Sequence, residues 1–404
     1  MKTIVFIGSN KSGSSREAIK AAERLGFFTV LLTDRELFFE NRLDFPDVHQ
    51  MIRTELTDYD LLKAKVKELQ EQGKKIEAIL SFIDPFVHVA AKLAKELGIT
   101  AISPDPLVKM EDKVLTRELL KDLPVSPSFA RYVKGDSLED FNKQKRAFPV
   151  IVKTPISTGS KDVLFAKNEW QLEQSIDRLL NTENNEVLIE EYLEGPQYLV
   201  EACVYNGRIQ IVAVIEQEIT FSKRFIVTGY GLSGYIDKVF YNKIYDAVRL
   251  ILKRFNMKNG AFHLEMRLVN DEWRLIEINP RISGGAMNQI IETAYGINLV
   301  EETIKIFLRQ KPNLEKKFNR SVYAHYLTSN ATGKLLKVTG KNRCSRLPGV
   351  EEVFIKPKKG KILQPPLSMG HRYGYVLASS DNKEEAMRFA KDAAKEIRFY
   401  LDPI

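Results

Sequence analysis

Residues 261–285 read AFHLEMRLVNDEWRLIEINPRISGG, two runs of alternating apolar and polar residues on either side of a short polar turn. Period-two alternation of this kind predicts an antiparallel β-hairpin. Phe262, Leu264, Met266 and Leu268 share one face of the first run, and Ile276 and Ile278 one face of the second. The opposite face carries His263, Glu265 and Arg267, answered by Glu277, Asn279 and, if the strand runs on, Arg281. A two-residue turn would set Glu265 against Ile276. A three-residue loop of Asn270, Asp271 and Glu272 sets Glu265 against Glu277 and keeps the apolar face whole, so the longer loop is expected. Carboxylates facing each other across strands repel. Two such oxygens with an amide oxygen nearby suit Mg²⁺, which completes its shell with phosphate and water. Arg281 then offers a fixed positive charge for a phosphoryl group. A solvated hairpin face would also carry such charges.

The remainder of the chain limits the choice of chemistry. Its 404 residues suffice for two or three domains, and 44% hydrophobic with 28% charged residues is an ordinary globular composition. Lys and Arg (61) exceed Asp and Glu (53) by a formal +8, with the two signs interleaved, which argues against nucleic acid and fits a small anion such as a nucleotide. Cys203 and Cys344 provide neither a disulfide framework nor a zinc site, which suits a cytoplasmic setting. No signal-peptide pattern opens the chain, and no apolar run approaches the ~20 residues needed to span a bilayer, so no membrane role is expected.

Strands and helices alternate along the first hundred residues, predicting a doubly wound parallel sheet. The loop SNKSGSS lacks the glycine spacing of a dinucleotide site. Pro85, after the strand IEAILSFI, could wall a substrate pocket. Pro106 is fit to begin a helix containing Lys113. Next, PVIVKTP predicts a strand bearing Lys153, and the small residues Ser157, Thr158, Gly159 and Ser160 would let backbone N–H groups approach phosphate. Farther on, Glu216 and Glu218 share a face expected to point into the site, where either could hold a substrate ammonium or simply meet solvent; Lys223 and Arg224 could approach phosphate or stay exposed. MNQIIETAYGINLVEETIKIFL predicts a helix, and EEAMRFAKDAAKEIRFYL a terminal one; Arg372, in the turn from Gly370 to Gly374, is a substrate-site candidate.

The pattern E-x(11)-E-x-N-x-R, with Lys113, Lys153, the Ser/Gly loop and the acid-rich strand end VLIEEYLEG in that order, resembles the ATP-grasp superfamily, and its spacing resembles the biotin-carboxylase branch. The resemblance covers nearly the whole chain and is strongest towards the L-amino acid ligases. It implies an α/β ATP-grasp fold: a Rossmann-like domain over 1–105, a helix and lid over 106–200, and a catalytic core with a C-terminal α/β unit over 201–404. It implies ATP contacts from Lys113, Lys153, Ser157, Gly159 and Ser160, an adenine hinge at Glu190, Glu191 and Leu193, and Tyr198 and Glu201 near the ribose. Mg²⁺, with Mn²⁺ as a substitute, would sit on Glu265, Glu277 and Asn279, beside catalytic Asn279 and Arg281. Backbone N–H groups of Ser283, Gly284 and Gly285 would position the substrate. The implied reaction joins two free L-amino acids through an acylphosphate, releasing ADP and phosphate, in a homodimer. Phe82 and Pro85 lean towards an uncharged first residue and a small second one. The alternatives are an ATP-grasp carboxylase and a non-catalytic nucleotide sensor; the latter need not keep Glu265, Glu277, Asn279 and Arg281 together.

Overall fold

The computed structural model describes residues 1–99, 102–137, 147–157, 162–180, 184–221 and 225–404. The first four strands, β1 (Lys2–Ile7), β2 (Phe28–Thr33), β3 (Gln50–Arg53) and β4 (Lys75–Leu80), form the expected parallel sheet in the order β3-β2-β1-β4. Val5, Ile7, Val30 and Leu32 pack one face and Ile4, Phe6 and Leu31 the other, so these strands are apolar on both sides, as helix-covered parallel strands must be.

Strands β5 (Phe129–Val133), β6 (Val150–Lys153), β7 (Val163–Ala166) and β8 (Glu186–Glu191) form a small antiparallel sheet in the order β5-β8-β6-β7. Sheet membership changes at β9 (Gln197–Tyr205), which joins β10 (Arg208–Phe221), β11 (Phe225–Leu232), β12 (Gly260–Val269) and β13 (Glu272–Asn279) in the large sheet. The last six strands are β14 (Ser321–Leu327), β15 (Gly333–Thr339), β16 (Val350–Ile355), β17 (Ile362–Leu363), β18 (Gly374–Ser380) and β19 (Arg398–Pro403). Strands β14, β18 and β16 extend the large sheet to eight strands, while β17, β15 and β19 stand apart as a sheet of three. Among the described residues no helix is long and apolar enough to cross a membrane.

Several expectations need correction. The β12–β13 turn is a two-residue turn at Asn270 and Asp271, both at positive φ, not a three-residue loop; Val269 pairs with Glu272. Glu265 still meets Glu277, because a bulge between Met266↔Leu275 and Glu265↔Glu277 takes up one extra residue, Ile276. Trp273, Leu275 and Ile278 therefore face the core, and Ile276 is turned into a pocket instead of completing the apolar face. The helix expected from Pro106 is two: Pro104–Glu111, then Lys113–Leu120, whose N-terminal amides at Val114 and Leu115 donate to Asp112. The helix after Gly285 also divides, into Met287–Tyr295 and Leu299–Phe307, because Gly296 ends the first in the left-handed conformation. The terminal helix stops at Ala394, and Arg398–Pro403 pairs with β15 as β19.

One buried cation ties these layers together. Arg117 bonds to Glu190 of β8 at 2.6 Å and to the carbonyls of Leu275 and Ile276 in β13 at 2.9 and 2.7 Å. It thus joins the helix Lys113–Leu120 to the small sheet and to the bulge. Arg117→Met should lower the free energy of unfolding by about 3–5 kcal/mol, since it leaves a buried carboxylate short of a partner. Urea unfolding would test this; an unchanged midpoint would remove Arg117 from that role.

Candidate active site

The bulge opens onto a pocket between the small sheet and the large one. Ile151, Val163, Tyr192, Leu193, Ile219, Phe225 and Val227 give it apolar walls, and Lys113, Lys153, Glu190, Glu265, Arg267 and Glu277 line its charged end. Tyr192 lies edge-on to Phe165 at 5.0 Å and stacks with Phe225 at 6.1 Å, with the Arg267 guanidinium 5.3 Å from its ring centroid. Flat apolar walls at one end and cations at the other fit a base joined to an anion.

At the charged end, Lys153 at the end of β6 is buried and pairs with Glu190 at 2.7 Å, while Arg117 holds the other oxygen of Glu190. Burial opposes ionisation of Glu190, but the Arg117 and Lys153 charges outweigh it and hold the carboxyl below its usual range. Burial pulls the Lys153 pKa down. Lys113 donates to the carbonyl of Ser157 at 3.2 Å and lies 3.9 Å from Glu277. Thr158, Gly159, Ser160, Lys223 and Arg224 lie outside the described residues.

Glu265 and Glu277 face each other in register. Burial, and then the charge of Glu277, raise the pKa of Glu265; Lys113 and Lys153 keep that of Glu277 low against its own burial. Asn279 donates to Glu277 at 3.1 Å and bonds His263 Nε2 at 3.0 Å. His263 Nδ1 donates in turn to the carbonyl of Arg281 at 2.9 Å. Burial, reinforced by Arg281, lowers the His263 pKa to about 4, so the ring is neutral near pH 7 and can bridge in this way. With both amide hydrogens of Asn279 engaged, its oxygen has no donor among the described residues.

Among the described residues no group of three or more His, Cys, Asp or Glu could hold a metal by itself. Two apposed carboxylates and an uncommitted amide oxygen nevertheless fit Mg²⁺, which needs only one or two carboxylates when phosphate and water supply the rest. The mutual repulsion of Glu265 and Glu277 is what a cation there would relieve.

Arg281 is held by Asp84, with Nε 3.0 Å from each carboxylate oxygen and Nη2 on Oδ2. Asp84 precedes Pro85 in the loop after β4, so the parallel domain fixes this arginine. Ser283 donates its N–H, at 3.0 Å, and its hydroxyl to Glu201, and its carbonyl accepts from Ser14. Gly13 and Gly285 touch closely: a Cβ at Gly13, whose φ is +83°, would lie 3.1 Å from the Gly285 nitrogen. Gly284 and Gly285 thus sit in a loop pressed against the first domain.

Four expected residues are placed elsewhere. Tyr198 is on the opposite face of the large sheet, packed edge-on to Phe240 at 5.5 Å and Trp273 at 5.2 Å; its neighbour Gln197 lines the pocket. Glu201 is fully buried beneath Ser283, away from the pocket lining. Glu216 pairs with Lys383 and Glu218 with Tyr323 and Lys391, so both face the helix Lys383–Ala394, whereas Gln217 between them faces inward. Gln197 bonds Gln217 at 2.7 Å, Glu265 at 3.2 Å and Arg267 at 3.0 Å. Sequence reading missed Gln197, Gln217, Arg117 and the Asp84 anchor. Arg117 had one signal, its position one helical turn after Lys113.

Family resemblance agrees with this geometry. Residues 19–100 match an ATP-grasp N-terminal domain, 146–289 an ATP-grasp domain and 325–402 an L-amino acid ligase C-terminal domain 2. The uncharacterised protein y4rH of Sinorhizobium fredii is 21% identical over 410 residues, spanning 100% of this chain and 84% of its own. An L-arginine-specific L-amino acid ligase of Bacillus subtilis is 21% identical over 348 residues, 83% of each chain. The crystal structure of an L-amino acid ligase from Bacillus licheniformis superposes with a TM-score of 0.85 at 21% identity, covering 100% of this chain and 99% of that one. With the two ATP-grasp profiles together taking in more than half of its residues, the chain belongs to the ATP-grasp superfamily and is built on the fold of an L-amino acid ligase.

Proposed function

We propose that this protein is an ATP-dependent ligase that joins two free L-amino acids into a dipeptide through an acylphosphate. The observation that carries the reading is the apposition of Glu265 and Glu277, with Asn279 and Arg281, at the charged end of an apolar pocket. ATP would lie with its base against Glu191, Tyr192 and Leu193 and its phosphates towards Lys113, Lys153 and the segment from Ser157 to Ser160. Glu265, Glu277 and Asn279 would hold Mg²⁺, or Mn²⁺ in its place, which when bound neutralises phosphate charge.

A carboxylate oxygen of the first amino acid attacks the γ-phosphorus, and the bond from that phosphorus to the ADP oxygen breaks. Arg281, kept in place by Asp84, stabilises the charge on the group in transfer. The neutral amine of the second amino acid then attacks the acyl carbon, and the bond from that carbon to the phosphate oxygen breaks. Phosphate leaves with its electron pair, and the nitrogen gives up one proton to solvent as the peptide bond forms. Glu201 acts through Ser283, fixing the loop that holds the reacting carboxylate.

A panel of amino-acid pairs, with nucleotide and organic products separated, tests the reaction. ADP and dipeptide should appear together and only with amino acids present. AMP with pyrophosphate, or ADP release driven by bicarbonate alone, would contradict the proposal. Glu277→Gln should lower kcat by about 1,000-fold or more while the protein still folds, since the change removes a repulsive charge. Near-normal turnover in that variant would take the hairpin out of the chemistry. Lys153→Met should raise the KM for ATP and lower kcat, because the ammonium would meet phosphate in both ground and transition states. An unchanged response to ATP would confine Lys153 to its structural pairing with Glu190.

A further inference from the structure

A second cavity of about 340 Å³ adjoins the first, with Met369 in the walls of both. Gly13, Gly285, Tyr326, Lys356 and Arg372 are among the residues that line it. Its ionic lining is unevenly paired. Arg16 is spent on Asp47 and Lys20 on Glu17, and Glu352 is held by the Tyr375 hydroxyl. Arg372 has no carboxylate partner among the described residues. Its Nη1 donates to the Val227 carbonyl and the Tyr230 hydroxyl at 3.3 Å each, and its guanidinium carbon stands 4.0 Å from the Tyr326 ring centroid. Its Nε is buried without a partner among the described residues. Lys356, also without an acidic partner among the described residues, lines the same cavity.

A guanidinium set into a cavity wall with an unused N–H is costly unless an anion arrives to complete it, and its planar fork matches a carboxylate. On the ligase reading, which this inference presupposes, the acceptor amino acid brings a carboxylate that takes no part in the reaction. That group must be held where its amine can reach the acyl carbon and its charge is kept off Glu265 and Glu277. We propose that the second cavity is the acceptor subsite, and that Arg372, assisted by Lys356, binds the non-reacting α-carboxylate of the acceptor amino acid. The free acid is thereby selected over amines and amides.

The test uses the full chain with ATP, Mg²⁺ and a donor amino acid from the panel, and compares L-alanine with L-alaninamide as acceptor. The unaltered protein should prefer the acid by on the order of 100-fold in kcat/KM, since the amide leaves the cations unpaired. Arg372→Gln should remove most of that preference, losing activity with alanine far more than with alaninamide. Lys356→Gln, a change at an exposed side chain that should not disturb folding, should narrow the same ratio several-fold. Hydroxylamine, an acceptor with no carboxylate, should trap the acyl group as a hydroxamate in the Arg372→Gln protein with much less loss than dipeptide formation suffers. Equal loss of alanine, alaninamide and hydroxamate products would place Arg372 on the phosphoryl group and overturn the assignment. An unaltered protein indifferent to the acceptor carboxylate, or a Lys356→Gln ratio that does not move, would also overturn it. Absence of dipeptide from every pair would instead overturn the ligase reading and the subsite with it.

Discussion

The bulge at Ile276 is the constraint on which the rest of the site depends. A regular two-residue hairpin would have put an aliphatic side chain opposite Glu265. One extra residue in β13 restores the carboxylate pair while Trp273, Leu275 and Ile278 stay in the core. It also gives the Ile276 carbonyl two cationic partners, Arg117 at 2.7 Å and Lys153 at 3.4 Å. The distortion is thus fixed by the same charges that line the charged end of the pocket.

Those charges are arranged as paired, buried ions, an expensive way to build a protein interior. Arg117 and Lys153 share Glu190, and Arg281 takes Asp84. On the proposed reaction each cation would stand in place before any ligand arrives, so little reorganisation would be left for the moment of reaction. Glu265 and Glu277 break the pattern, since they face a like charge. Arg372 breaks it in the opposite sense, as a cation with no counter-charge among the described residues.

The hairpin's alternation, the parallel first domain and the order of the lysines and carboxylates were legible in the sequence, because each rests on local periodicity or spacing. Much of what failed depends on partners distant in the chain. The faces of β9 and β10 are one case, with irregularities near Val212 and after Glu218 that composition does not announce; Tyr198, Glu216 and Glu218 consequently point away from the pocket and Gln197 and Gln217 into it. β3 is not legible in the same way, because its QMIR stretch carries little apolar signal. The residues IRFYL continue the pattern of the preceding helix, and only pairing with β15 makes them a strand. The anchor between Asp84 and Arg281 spans 197 positions, beyond any motif.

The most direct test of the account follows one oxygen atom. With the first amino acid labelled by ¹⁸O in its carboxylate, turnover through an acylphosphate transfers one labelled oxygen to phosphate for each peptide bond made. Mass spectrometry of the released phosphate should therefore find one ¹⁸O per dipeptide when the donor is fully labelled. Dipeptide formed with unlabelled phosphate would contradict the account.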